Sequence, residues 1–261
     1  MNRKSQPISV FMISLNEEDR IEKSIRSAFK VSDDVIVVDS GSTDRTIEIA
    51  RSWGARVVHN DWPGYGMQKR FAQDLCRHDW VLNLDADEVI SDPLAEEING
   101  LHLGDDSTCK AFFIKITDVL PGEDSPRLFS YSHNYIRLYR KDAGEFSTST
   151  VHDLVQLREG VPASQLHGRI FHHSIRSLGE QLSKFNTYTD AQILDMEQRG
   201  KKIPAWRLFI EFPASFVKAY LLRRHFMRGT YGFLTAMNYA YFRHLRVAKH
   251  YERRRTPKPE K

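Results

Sequence analysis

Two cysteines among 261 residues, Cys76 and Cys109, are too few for a disulfide framework. That excludes the small stapled scaffolds of secreted proteins and points to a reducing compartment. No uncharged apolar run approaches the roughly 18 residues that a membrane-spanning helix needs. The basic N-terminus, MNRKSQPISVFMISLNEED, has only a short apolar stretch, Ile8 to Leu15, broken by Ser9 and Ser14. It reads as a strand, not a secretory leader. G-x-G-x-x-G and GK[ST] are both missing, which removes the dinucleotide-dehydrogenase and phosphate-loop classes. What remains, 41% hydrophobic and 28% charged, suits a folded chain with a sizeable core.

Net charge is +4, but it is unevenly spread. Residues 1–200 hold 23 Lys and Arg against 31 Asp and Glu, whereas residues 201–261 hold 15 against three. An acidic body with a strongly basic tail implies an anionic partner for the tail, either nucleic acid or a membrane surface.

The first hundred residues alternate strand and helix patterns. ISVFMISL (8–15), DDVIVVDS (33–40), ARVVHN (55–60) and DWVLNLDAD (79–87) read as strands. Between them, NEEDRIEKSIRSAF reads as a helix opened by Asn16, GSTDRTIEIARSWG as a helix stopped by Gly54, and GYGMQKRFAQDLCRH as a third. Repeated βα units of this length predict a mostly parallel sheet covered on both faces. Such sheets bind ligands beyond the carboxyl ends of their strands.

The polar residues fall at those ends. Asn16 and Glu17 follow the first strand, Asp39, Ser40 and Gly41 the second, and Asp85, Asp87 and Glu88 the fourth. Neighbouring carboxylates repel unless a cation or hydrogen-bond donors offset them. One acid at a strand end is often a helix cap, as Asp44 in GSTD would be. Acids at several strand ends converging on one edge need more than capping.

These residues resemble a known family. SVFMISLNEEDRIEKSIRS, VIVVDSGSTDRTIEIA, GYGMQK and WVLNLDADE together are similar to inverting family-2 glycosyltransferases of the GT-A fold, and most of all to bacterial lipopolysaccharide-core glucosyltransferases acting on heptose. Arg70 departs from the relatives, which usually place Asn after QK. The resemblance implies an α/β GT-A domain over residues 1–200, with a nucleotide-sugar half (7–100) and an acceptor half (101–200). Residues 201–261 follow as a basic, aromatic-rich helical tail.

A nucleotide diphosphate leaves with at least two negative charges, and a hard cation held by carboxylate and phosphate oxygens neutralises them. The resemblance implies Mn²⁺ or Mg²⁺ on Asp87, with Asp85 near the ribose and the metal. It further implies Asp39 against the uracil ring, Glu17 beside the nucleoside, and Asn16 and Ser40 within the nucleotide site. Lys69 would add positive charge near the diphosphate. His172, in FHHS, resembles the family's late metal- or phosphate-contacting histidine.

In the acceptor half, KAFFIKITDVL (110–120), NYIRLYRK (134–141) and STVHDLVQL (149–157) read as strands extending the sheet. A further strand and a long helix follow within 168–196. Relatives carry V-H-E where this chain has VHD, so Asp153 takes the part of the base that removes the acceptor hydroxyl's proton. Glu88 is the alternative base, and His152 would orient the base or touch the acceptor.

The tail places Trp206, Phe209, Ile210, Pro213, Phe216, Val217, Tyr220 and Leu221 on one helical face, with Arg and Lys around it. That composition suits an interfacial helix on anionic lipid. Nucleic acid is set aside, because the strand-end acids would repel phosphate. The expected protein is a glycosyltransferase moving a hexose, glucose by resemblance, from a UDP-sugar to a lipid-linked oligosaccharide of the lipopolysaccharide inner core. A polyprenyl-phosphate-linked or other envelope polysaccharide is the alternative acceptor. The enzyme would be cytoplasmic, peripheral on the inner face of the bacterial inner membrane.

Overall fold

The computed structural model describes residues 7–104, 107–128, 130–147 and 154–255. The chain forms two compact units, Met1–Val119 with Tyr131–Ser174, and Leu120–Ser130 with Ile175–Lys261.

The first unit is built on an eight-stranded sheet. Strands β1 (Ile8–Ser14), β2 (Asp34–Asp39), β3 (Arg56–His59) and β4 (Trp80–Asn83) form its parallel half, in the order β3-β2-β1-β4. Helices α1 (Ile21–Ala28), α2 (Thr46–Ser52) and α3 (Tyr65–Asp74) connect them. Alternation along the strands sorts the side chains between two faces. Val10, Met12, Val35 and Val37 pack with Ile21 and Ile25 of α1, whereas Phe11, Ile36 and Val38 pack with Ala72 of α3. Burial on both faces is why these segments are continuous apolar runs.

The second half mixes directions. After β5 (Glu88–Ile90) and α4 (Asp92–Asn99) come β6 (Ala111–Asp118), β7 (Ser132–Arg140) and β10 (Ala163–His172), completing the order β4-β7-β6-β10-β5. β7 runs antiparallel to both β4 and β6, and β5 antiparallel to β10. β10 crosses α4 closely at Gly168, where a Cβ would lie 2.4 Å from Cα of Leu94, so only glycine fits.

Two expectations change. Asn16 does not open a helix: α1 begins at Ile21, and Asn16 sits in the left-handed region at φ 55°. Its side chain instead receives the Thr43 amide at 2.9 Å, and its own amide donates to Ser42 Oγ at 2.8 Å, tying together the loops after β1 and β2. Of the strand expected over 149–157, only residues 154–157 are described, and they do not extend the eight-stranded sheet. Its described part, β9 (Val155–Leu157), pairs with β8 (Gly144–Phe146) in a separate two-stranded ladder. In the second unit, α5 (Leu178–Gln198) and α6 (Arg207–Val217) each pack against α7 (Gly229–Arg255).

Candidate active site

Everything at the end of β4 is organised around the turn Asp85–Glu88. The Glu88 amide donates to the Asp85 carbonyl at 2.9 Å, and the Asp85 amide donates back to Glu88 Oε2 at 2.9 Å. β7 lies beside β4, with Leu138 opposite Leu82, so Arg137 projects onto the same turn. Its guanidinium donates to Glu88 Oε1 at 2.8 Å, to Asn83 Oδ1, and reaches Asp85 Oδ2 at 3.4 Å. From α3, Lys69 brings its Nζ to 2.8 Å from Asp85 Oδ1, and 5.6 Å from the Phe146 ring centroid. Lys69 is only 2% exposed, so its charge is committed to Asp85.

This arrangement separates the carboxylates. Burial acts to raise the Asp85 pKa, but the charges of Lys69 and Arg137 outweigh it and hold the carboxyl well below the usual range. Glu88 is pushed up to about 7, chiefly by burial, with the Asp85 charge adding and Arg137 opposing. Glu88 is 1% exposed and both its oxygens are engaged. Taking a proton from an acceptor would require breaking the turn it holds. In the structure both oxygens of Glu88 brace that turn.

β5 pairs with β10 so that Glu88 stands opposite His172, which carries the imidazole to the other side of the turn. His172 Nε2 lies 3.4 Å from Asp87 Oδ2, and its Nδ1 lies 3.1 Å from Asp118 Oδ1. Burial lowers the imidazole's pKa, but the bonds to Asp118 and Asp87 dominate and raise it to about 11. Asp87 is lowered in return, against the effect of burial. Arg20 supports the same corner: its Nη1 donates to the His173 carbonyl at 2.8 Å and lies 3.5 Å from Asp87 Oδ2, while its Nε donates to Glu17 at 3.0 Å.

Could these residues hold a divalent cation? Adjacent ligands of an octahedral Mg²⁺ or Mn²⁺ stand roughly 3 Å apart, so Asp87 Oδ2 and His172 Nε2 at 3.4 Å fit two corners once the imidazole loses its proton. Among the described residues no group of three or more His, Cys, Asp or Glu side chains is arranged to hold a metal alone. The other ligands would have to come from the substrate and water. The donor set fits a cation shared with a diphosphate.

At the ends of β1 and β2, Asp39 is fully buried and already saturated. It accepts from the amides of Gly41 at 2.9 Å and Ser42 at 2.7 Å, and from the hydroxyls of Ser14 at 2.8 Å and Ser42 at 2.5 Å. Ser40 Oγ accepts from Gln68 at 2.9 Å, and the Glu17 amide donates to Thr46 Oγ1 at 2.7 Å. Asp44 receives the Thr46 amide at 2.9 Å just ahead of α2.

Asn16, Glu17, Asp39 and Ser40 therefore gather at the ends of β1 and β2. Lys69, Asp85, Asp87, Glu88 and His172 gather at the end of β4. His152 and Asp153 lie outside the described residues. Sequence reasoning missed Arg137, Arg20 and Asp118. An arginine inside the apolar alternation of NYIRLYRK, at a position that proves 8% exposed, was the available signal for Arg137. Next to the turn, a cavity of about 310 Å³ is lined by Asn83, Phe113, Asn134, Tyr135, Arg137 and Leu154, among others.

Residues 9–153 match the family described as glycosyl transferase family 2. A glycosyltransferase of Rickettsia prowazekii is 38% identical over 250 residues, covering 93% of this chain and 86% of that protein. The lipopolysaccharide core biosynthesis glycosyltransferase LpsC of Rhizobium meliloti is 30% identical over 253 residues, covering 95% and 93%. Among solved structures, a mannosyltransferase of Pyrobaculum calidifontis in complex with GDP-mannose and Mn²⁺ superposes with a TM-score of 0.53 at 15% identity, covering 95% of this chain and 88% of that one. At that identity the likeness is one of fold.

Proposed function

This chain belongs to glycosyl transferase family 2 and is an inverting glycosyltransferase, and on that premise we propose that it transfers glucose from UDP-glucose to a lipid-linked glycan of the lipopolysaccharide inner core. The observation that carries the donor side is the pair Asp85 and Asp87 at the end of β4, with Asp87 Oδ2 3.4 Å from His172 Nε2. LpsC, named for core biosynthesis and similar along nearly the whole chain, supports the acceptor class.

Asp87 and His172 would hold Mn²⁺ or Mg²⁺, which when bound neutralises the charge of the departing diphosphate. Asp85, held ionised between Lys69 and Arg137, would receive the ribose and the metal's water shell. Glu17, Asn16, Ser40 and Asp39 would bound the nucleoside. Because the Asp39 oxygens already accept four hydrogen bonds, its part there is to shape the loop of residues 40–42 as much as to meet the base. Asp153 would take the proton of the attacking hydroxyl, with His152 beside it. The cavity floored by Asn83 and Arg137 adjoins the turn on the β7 side and would admit the acceptor sugar.

The tail would hold the enzyme on the cytoplasmic face of the inner membrane. Its 15 Lys and Arg against three acids suit anionic headgroups, and no described helix is long and apolar enough to cross a membrane. The direct experiment offers purified protein a panel of nucleotide-sugars with inner-core oligosaccharide and Mn²⁺, and follows nucleotide release. UDP released only from UDP-glucose, dependent on acceptor, is the expected result. Release from a guanosine donor, or indifference to the oligosaccharide, overturns it.

A further inference from the structure

The fully buried line of α6 and of the turn after it carries no large apolar side chain. Along α6 the buried line is Glu211 and Ser215, continued by Ala219 in the π-helical turn Lys218–Leu222. α7 buries Gly232, Ala236 and Ala240 at the same four-residue spacing. At Gly232 a Cβ would stand 1.9 Å from the His225 carbonyl oxygen, so no larger residue fits. Between the helices, Arg243 Nε donates to Glu211 Oε1 at 3.0 Å and Arg207 Nε to its other oxygen at 2.9 Å. The fully buried positions of the seam are thus small residues and an ion-paired glutamate, flanked by the half-buried rings of Phe212, Phe216 and Tyr220, which pack on His244 and Phe233. The other large apolar side chains of this segment point outward, with Phe209 81% and Leu222 77% exposed, and Trp206, Ile210, Val217 and Leu221 about half exposed or more.

A surface helix in water has the opposite arrangement, apolar stripe inward and charge outward. An exposed apolar patch of this extent marks an interaction surface. Helices associate through small residues and buried polar groups when apolar side chains gain nothing by leaving their surroundings, which is the situation in lipid. α6 is 11 residues long, or roughly 16 Å, about half of the ~30 Å hydrocarbon layer. It can lie within one leaflet but cannot cross. Charge selects lipid over a second copy of the chain. Lys218, Arg223 and Arg224 are exposed beside Leu221 and Leu222, and Lys201 and Lys202 are exposed just before α6. Another copy would bring the same positive charge, whereas anionic headgroups complement it.

We infer that α6 and the following turn are embedded in one leaflet of an anionic bilayer, with Phe209, Ile210, Leu221 and Leu222 among the acyl chains and the surrounding Lys and Arg at the phosphates. The inference rests on the membrane association proposed above and deepens it, from attachment by charge to insertion of a defined apolar face.

The test uses full-length protein and vesicles of phosphatidylethanolamine and phosphatidylglycerol. Wild type should sediment with them and remain bound in 1 M NaCl, because screening removes the electrostatic part alone. Lipids brominated along the acyl chain should quench part of its tryptophan emission, and Trp206→Phe should lose that part. The variant Phe209→Ser, Ile210→Ser, Leu221→Ser, Leu222→Ser alters exposed positions and should keep the wild-type thermal transition. In 1 M salt its vesicle-bound fraction should fall at least tenfold. Binding that salt reverses completely, with no acyl-chain quenching, overturns the insertion while leaving surface attachment intact. Failure to bind vesicles at all removes both. A wild-type dimer that the serine variant converts to monomer, without vesicle binding, would assign the face to a second copy.

Discussion

His172 Nε2 lies 3.4 Å from Asp87 Oδ2 while its Nδ1 lies 3.1 Å from Asp118 Oδ1, so one imidazolium stands between two carboxylates. A cation that takes Asp87 and His172 must first displace that proton.

The displacement sets the sign of a pH dependence. The imidazole's pKa is raised from an ordinary 6.5 to about 11, so its stabilisation of the metal-free protein is complete below pH 6.5 and fades as the pH rises toward 11. Metal-free melting temperature should decline over pH 7 to 10, and His172→Gln should flatten that decline. Metal affinity should run the other way, strengthening by up to about tenfold per pH unit where one proton is released per ion. Calorimetric titration with Mn²⁺ and UDP in buffers of different ionisation heat measures the released proton. A pH-independent affinity with no proton release would remove His172 from the metal.

Asp87→Asn would take away the proposed cation ligand, along with the charge that pairs with His172 and Arg20. UDP binding in the presence of Mn²⁺ should fall to the level seen with chelator, and transfer should be abolished. Near-normal turnover, or an equal loss of UDP affinity in chelator, would place the metal elsewhere.

The two candidate bases separate by readout. Asp153→Asn should lower the rate by on the order of 10²–10⁴-fold with donor affinity almost unchanged. Glu88→Gln cannot satisfy both Arg137 and the Asp85 amide, and should cost about 3 kcal/mol of stability, in the range for breaking a buried ion pair. Chemical denaturation and single-turnover rates distinguish these. A stable but inactive Glu88→Gln beside an active Asp153→Asn would move the base to Glu88.

Arg137 joins Asn83, Asp85 and Glu88, so removing its charge leaves the buried Glu88 carboxylate without its counter-charge beside Asp85. Arg137→Met should destabilise the fold by roughly 3–5 kcal/mol. Arg137→Lys should recover only part of this, since one ammonium cannot reproduce the planar fork. Urea midpoints at neutral pH measure both. An Arg137→Met variant as stable as the wild type would show that the network is not what holds the turn.

Much of this protein is legible in its order of residues. Continuous β-branched runs such as VIVV (35–38) mark strands covered on both faces, and acids closing those runs mark the sheet edge where a ligand sits. Those signals are local, because strand alternation and turn chemistry act over a few residues. Roles that depend on neighbours distant in sequence are not. By sequence Lys69 reads as a cation for a diphosphate, and its pairing with Asp85 is visible only once α3 is packed on the sheet. Glu88 reads as a possible base, but Arg137, from a strand 49 residues later, closes over it. The tail's basic and aromatic composition, on which the proposed lipid contact rests, is legible in the sequence, whereas which way its helices face requires the packing. Only the paired helices decide that Glu211 is enclosed and Phe209 left outside, because burial belongs to the arrangement of segments and not to any one of them.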